Sequence, residues 1–180
     1  MNAILDTINS RETAVDDIRF AFAPFSLGTV LVAISDKGVA AILMGDDRSA
    51  LTRELTSAFP RARLTADEVG LEGMTAKVVA FLEAPHKEFD LPLDIRGGAL
   101  EQAVWQALRA VPPGETITYG KLVKALPLPA TAREVGAACA ANVLAVAVPC
   151  HRAVKADGSI SGYRWGVQRK RKLINREAVA

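Results

Sequence analysis

The sequence predicts an α+β protein in two parts: a small unit on an antiparallel sheet, then a helical domain containing a helix-turn-helix. Three observations carry that prediction. Apolar, β-branched runs separated by turn residues fill the first half. Short helical patterns broken by proline and glycine fill the second. A thiol and an imidazole, Cys150 and His151, then sit side by side where the apolar run Leu144 to Val148, which reads as a buried strand, ends at Pro149.

In the first half, Arg19 to Pro24 alternates and Leu27 to Ile34 is apolar. Ser35-Asp36-Lys37-Gly38 supplies turn chemistry before Val39 to Met44 runs apolar again, a hairpin signal. Ser49 reads as the N-cap of a helix through Phe59, with Leu51, Leu55 and Phe59 on one face and Pro60 as its stop. A second helical pattern covers Met74 to Leu82, ended by Pro85. No reactive constellation lies here, so residues 18–95 read as support, preceded by a loose lead-in over 1–17.

Asp94-Ile95-Arg96-Gly97-Gly98 reads as the joint to a second domain, 96–180. Leu100 to Val111 places Val104, Ala107, Leu108 and Val111 on one helical face, and Pro112-Pro113-Gly114 breaks it. Thr118 is placed to cap a short helix from Tyr119 to Leu126, and a further helix runs from about Thr131 to Ala141. Two short helices joined this way form the helix-turn-helix arrangement. Lys155 to Ser159 reads as a turn or wing, and a basic helix from Gln168 to Glu177 closes the chain.

Composition excludes several classes. Two cysteines make no disulfide framework, and no run approaches the roughly 18 apolar residues of a membrane span. Asp6, Arg11 and Glu12 interrupt the N-terminus before a secretory core could form, so the reading is a cytoplasmic protein. Cys139, Cys150, His86 and His151 lack zinc-finger spacing, and no glycine-rich phosphate loop is present, so neither metal nor cofactor is expected. Charge is asymmetric. Met1 to Gly98 carries 15 acidic and 10 basic residues, net −5; Ala99 to Ala180 carries 5 acidic and 12 basic, net +7. Either the second half meets a polyanion or its charges solvate helix faces.

The Cys-His pair carries the chemistry. A cysteine is nucleophilic as thiolate, and a nearby imidazole, directly or through one water, can take its proton. Neighbouring side chains on an extended segment diverge, so a bridging water is the natural geometry. Glu177 is the carboxylate of the basic half best placed to fold back and orient His151.

Pro149-Cys150-His151-Arg152 followed by Ser161-Gly162-Tyr163-Arg164-Trp165-Gly166 resembles the active-site region of the O6-alkylguanine-DNA alkyltransferases. The likeness extends through Ala138-Cys139-Ala140-Ala141-Asn142, Gly114 to Tyr119, Leu91 to Gly97 and Ile42 to Asp47, in order and at compatible spacings, and covers nearly everything beyond about Ile18. It implies a ribonuclease-H-like first unit and a winged-helix-like catalytic domain that repairs duplex DNA. The implied reaction is an irreversible, single-turnover transfer of methyl from O6-methylguanine, and from O4-methylthymine, to Cys150 after nucleotide flipping. The partner it implies is double-stranded DNA bearing O6-alkylguanine, met by a monomer away from membranes.

By resemblance, His151 deprotonates Cys150 through water, Glu177 orients His151, and Asn142 ties the recognition helix to the active-site turn. Asn142 is equally a helix C-cap. Arg133 matches the arginine that replaces the flipped nucleotide, or else is a solvated surface arginine. Tyr119 matches a phosphate-rotating, base-donating tyrosine, or is a half-buried aromatic. Tyr163 and Trp165 match pocket walls, or are packing anchors; Arg164 lies between them in the DNA-binding stretch. Lys170 matches a lysine that favours the thiolate, or is one more charge on a basic helix. Arg152 is structural or phosphate-facing.

Three residues stand out against the family pattern. Glu134 sets a carboxylate beside Arg133, where it weakens phosphate approach or pairs with a base. Ala153 replaces a bulkier valine and loosens the pocket floor. Trp165, where some members carry glycine, tightens the pocket and favours methyl over benzyl-sized adducts. The cysteine cluster with which larger relatives repair phosphotriesters and switch on transcription has no counterpart, so neither activity is expected. The alternative is a non-catalytic binder of alkylated DNA on the same scaffold.

Overall fold

The computed structural model of the protein describes residues 15–179. Most of the expected lead-in, and the residues read against a secretory signal, therefore lie outside the described residues. β1 (Asp16–Phe25), β2 (Gly28–Ser35) and β3 (Gly38–Gly45) form the antiparallel meander that the apolar runs announce. β2 and β3 are buried almost throughout because both faces are covered. Gly38 turns the chain between them at φ 136°, and a Cβ there would lie 2.3 Å from the Pro92 carbonyl oxygen.

The sheet is mixed rather than wholly antiparallel. β4 (Ala62–Ala66) runs parallel to β1, giving the order β3-β2-β1-β4. This edge strand is exposed or half-buried throughout. Ala62, Leu64 and Ala66 alternate with Arg63 and Thr65, but five residues, two of the three apolar ones alanine, give only a weak apolar signal. α1 (Arg48–Ala58) packs on β3 and β2, and α2 (Glu72–Glu83) on β1. The N-cap of α1 is Asp47, not Ser49: its carboxylate accepts from the Ser49 backbone N–H at 2.8 Å.

The second half contributes α3 (Ala99–Arg109), the short β5 (Ile117–Thr118), α4 (Tyr119–Ala125) and α5 (Ala132–Ala141). A single 3₁₀ turn (Cys150–Arg152), β6 (Ala153–Val154) and α6 (Val167–Ala178) complete it. Thr118 caps α4 as expected, accepting from Lys121 N–H. Thr131 caps α5 in a reciprocal box with Glu134, whose Oε2 accepts from the Thr131 N–H at 2.7 Å and hydroxyl at 2.8 Å. Glu134 is thus turned back onto the helix start instead of meeting a base. Buried Trp105 of α3 donates to the Ala138 carbonyl at 2.9 Å and pins α3 against α5.

Leu144 to Val148 is not a strand. It is a buried tight turn, with Val148 N–H donating to Leu144 O and Val146 at φ 67°. A β-branched residue in that region is strained by about 1–3 kcal/mol and persists only where its surroundings hold it. Here Ile42 of β3 does so, donating to Val143 O at 2.8 Å and accepting from Ala145 N–H at 3.0 Å. The sheet edge therefore holds the segment that leads into Cys150, and one buried core runs from Ile18 through Val148 to Leu173.

Candidate active site

Asn142 ends α5 and ties the chain beyond it back to the helix. Its Oδ1 accepts from Leu144 N–H at 2.8 Å, and its Nδ2 donates to Val148 O at 2.9 Å and Leu144 O at 3.5 Å. The same Nδ2 reaches Cys150 Sγ at 3.3 Å. One buried amide thus joins the helix end, the strained turn and the thiol, and its C-cap position coexists with that tie.

The 3₁₀ turn sends Cys150 and His151 in different directions, and no hydrogen bond joins them among the described residues. His151, fully buried, has Nε2 at 2.7 Å from Glu177 Oε1 on α6. A carboxylate accepts, so Nε2 carries the proton and Nδ1 keeps its lone pair, with no partner among the described residues. Arg152 closes on the same carboxylate, Nε to Oε2 at 3.0 Å and a terminal nitrogen to Oε1 at 2.8 Å, and also donates to Val111 O. Arg152 therefore does not face phosphate: its guanidinium is consumed inside.

Cys150 opens instead onto a cavity of about 660 Å³, lined also by Tyr119, Arg133, Cys139, Ser161 and Tyr163. Arg133 is exposed on α5 at this cavity. The Tyr119 hydroxyl lies 2.7 Å from Ser161 Oγ. Lys170 is not a surface charge: it is fully buried, with Nζ 3.5 Å from both Ser161 Oγ and Gly162 O. Arg164 lines the wall but spans two elements, donating to Glu54 of α1 at 2.6 Å and to Ala140 O of α5 at 2.8 Å. Trp165 does not line the cavity. It stands behind Tyr163 in an edge contact, ring centroids 5.3 Å apart.

Cys139 and Ser161 belong to this cavity, yet sequence reasoning gave neither a role. Cys139 lies one helical turn before Asn142, so its place on the cavity face was readable from i, i+3 spacing. Ser161 sits in irregular chain, and its partners come from α4 and α6, which no local pattern relates.

Burial pushes the Cys150 thiol well above its ordinary range, and neighbouring Cys139 adds to this; Asn142 and Lys170 act in the opposite sense. Burial lowers His151, against the pull of Glu177, and so favours the neutral imidazole. Burial works to raise Glu177, but hydrogen bonds from His151 and Arg152 hold it at about 2. Burial lowers Lys170, while the two thiols raise it. Tyr119 is raised by burial, against its bond to Ser161. The arrangement keeps a resting thiol, a neutral base with one open nitrogen, and an ionised carboxylate that fixes the base. Among the described residues no group of three or more His, Cys, Asp or Glu is arranged to hold a metal, and no helix is long and apolar enough to cross a membrane.

Residues 99–179 match the family model described as "6-O-methylguanine DNA methyltransferase, DNA binding domain". The chain is 48% identical over 161 residues to the bifunctional transcriptional activator/DNA repair enzyme Ada of Escherichia coli, covering 89% of this chain and 46% of Ada. It therefore spans about half the length of that relative. Over 117 residues it is 39% identical to the methylated-DNA–protein-cysteine methyltransferase of Mycobacterium bovis, covering 65% of this chain and 71% of the relative. Its fold matches the crystal structure of Mycobacterium tuberculosis OGT in complex with DNA at a TM-score of 0.74 and 31% identity, over 89% of this chain and 93% of that one. With a cysteine that opens onto a cavity, a buried His-Glu pair next to it in the chain and an asparagine tie to its sulfur, and relatives of this kind across most of its length, the chain belongs to the family of methylated-DNA–protein-cysteine methyltransferases.

Proposed function

We propose that this protein repairs alkylated duplex DNA by moving the alkyl group from guanine O6 onto its own Cys150, once per molecule. One observation carries the reading: Cys150 Sγ, which Asn142 Nδ2 reaches, opens onto the cavity while its neighbour His151 is held from behind by Glu177. The neutral imidazole, whose Nδ1 has no partner among the described residues, accepts the thiol proton through a water. The thiolate attacks the alkyl carbon, the carbon–O6 bond breaks, and a thioether and guanine result. Because the thioether is stable, the protein does not turn over.

A base stacked in duplex cannot present its O6 substituent to a buried sulfur, so the nucleotide is extruded into the cavity at a cost of a few kcal/mol. Arg133 acts as the wedge that fills the gap, Tyr163 holds the flipped base by its face, and the Tyr119 hydroxyl donates to the departing guanine. Arg164 lines the wall, and Lys170, in contact with Ser161 and Gly162, favours the thiolate. Residues 96–180 carry DNA binding and transfer, and 18–95 support them. O4-methylthymine is a second substrate, and the protein works in the cytoplasm as a monomer.

Incubation with a duplex carrying one O6-methylguanine tests this. A stoichiometric gain of one methyl on the Cys150 peptide, absent in Cys150→Ala, is expected. Tight binding with no mass change would instead identify a lesion sensor.

A further inference from the structure

Lys170 is an ammonium-bearing side chain with no solvent exposure and, among the described residues, no carboxylate within ion-pair distance. Its polar contacts are Ser161 Oγ and Gly162 O, both at 3.5 Å. Ser161 Oγ is in turn 2.7 Å from the Tyr119 hydroxyl, and Tyr119 and Ser161 both line the cavity that Cys150 opens onto. None of the alkyl-transfer steps from Cys150 to thioether uses Ser161.

The donor inventory sets the direction of this chain of hydrogen bonds. An ammonium only donates, so Ser161 Oγ accepts from Lys170. Ser161 has a single proton, and its remaining close partner is Tyr119; giving that proton to the phenol oxygen satisfies both groups. The phenol's own proton is then left pointing away from Ser161, into the cavity. A Tyr119 that donated to Ser161 would have no proton to offer a base.

We propose that Ser161 is a positioning residue that relays a proton from Lys170 to Tyr119, so that the Tyr119 hydroxyl is held as a donor toward the departing base. The inference rests on the alkyl-transfer reading. As the sulfur–carbon bond forms and the carbon–O6 bond breaks, the electron pair of the broken bond passes to the guanine. Tyr119 gives the base its proton, Ser161 returns one to Tyr119, and Lys170 returns one to Ser161. Lys170 ends neutral. The proton that His151 took from Cys150 balances the one Lys170 gave up, so no external acid or base is consumed.

The test compares wild type, Ser161→Ala and Ser161→Thr in single-turnover methyl transfer from an O6-methylguanine duplex, with DNA affinity measured separately and rates repeated in deuterium oxide. Ser161→Ala is expected to keep DNA affinity within about twofold while slowing transfer by roughly 10²-fold, the lower range for loss of a positioned proton donor. Ser161→Thr, which keeps the hydroxyl, is expected to restore most of the rate. The solvent isotope effect should differ between wild type and Ser161→Ala, a change that altered packing alone would not produce. Equal transfer rates for wild type and Ser161→Ala would overturn the relay and leave alkyl transfer standing. Failure of the wild type to gain a methyl group would overturn both.

Discussion

His151 Nε2 and Glu177 Oε1 lie 2.7 Å apart inside the protein, both side chains essentially without solvent, although the residues are 26 positions apart in the chain. The contact sets the tautomer of the imidazole, and Arg152 makes the carboxylate's charge tolerable in that setting.

The buried pair makes stability depend on acid. His151 is held below its ordinary 6.5 by burial, and Glu177 is held at about 2 against an ordinary 4.5. In each case the unfolded chain takes up a proton before the folded one does, so stability falls as pH falls. His151 contributes to the fall below 6.5, and Glu177 from 4.5 down to about 2. The Glu177 part amounts to at most ~3 kcal/mol. Denaturant melts at pH 7, 5.5 and 4 should show a progressive loss; a flat profile would contradict the buried ion-pair geometry.

Glu177→Gln preserves shape but leaves the Arg152 guanidinium buried without its counter-charge. Removal of one partner from a buried pair costs about 3–5 kcal/mol. The variant should melt earlier and transfer methyl more slowly, because the amide no longer favours a single imidazole tautomer. Thermal unfolding and single-turnover transfer, measured on the same preparation, check both effects.

Asn142→Ala removes one acceptor and a donor shared among Val148 O, Leu144 O and Cys150 Sγ. Unsatisfied buried groups cost about 1–3 kcal/mol each, so a loss of ~2–4 kcal/mol is expected. Loss of the Nδ2 donor that favours the Cys150 thiolate should also slow reaction of Cys150 with a small alkylating reagent such as iodoacetamide. Peptide mass mapping reads this; an unchanged labelling rate would mean that the amide does not act on the sulfur.

Gly38→Ala meets two obstacles, a φ of 136° and a Cβ position 2.3 Å from Pro92 O. The crossing where Val39 N–H donates to Pro92 O at 2.8 Å would have to open. Destabilisation above ~2 kcal/mol is expected. The melting midpoint should fall in proportion, with little change in transfer rate per folded molecule.

Trp165 influences the cavity through Tyr163. Trp165→Gly should let the Tyr163 ring relax away from Cys150 and raise the rate on benzyl adducts relative to methyl ones. Competition between O6-benzylguanine and O6-methylguanine duplexes measures the ratio; no change would show that Tyr163 is held by other contacts.

Local pattern carried much of this protein. The hairpin of β2 and β3, the proline-bounded helices and the Thr118 cap were legible because each depends on neighbours within a few positions. Resemblance at the Pro149-Cys150-His151-Arg152 motif named the expected nucleophile and the residues expected around it. β4 escaped because five half-buried or exposed residues, with alanine at two of the three apolar positions, alternate too weakly to stand out. The turn at Val146 escaped because a β-branched run reads as a strand unless a distant partner, here Ile42, holds it otherwise.

The sequence by itself determined which groups were available: one thiol beside one imidazole, an asparagine at a helix end, a carboxylate on the last helix. Only the tertiary structure decided their company. It turned Arg152 inward onto Glu177, put Trp165 behind the wall, folded Glu134 back onto Thr131, and set Ser161 between Lys170 and Tyr119. The reason is range: periodicity and capping act over a turn or two of chain, whereas burial and charge pairing act between segments that sequence order leaves far apart.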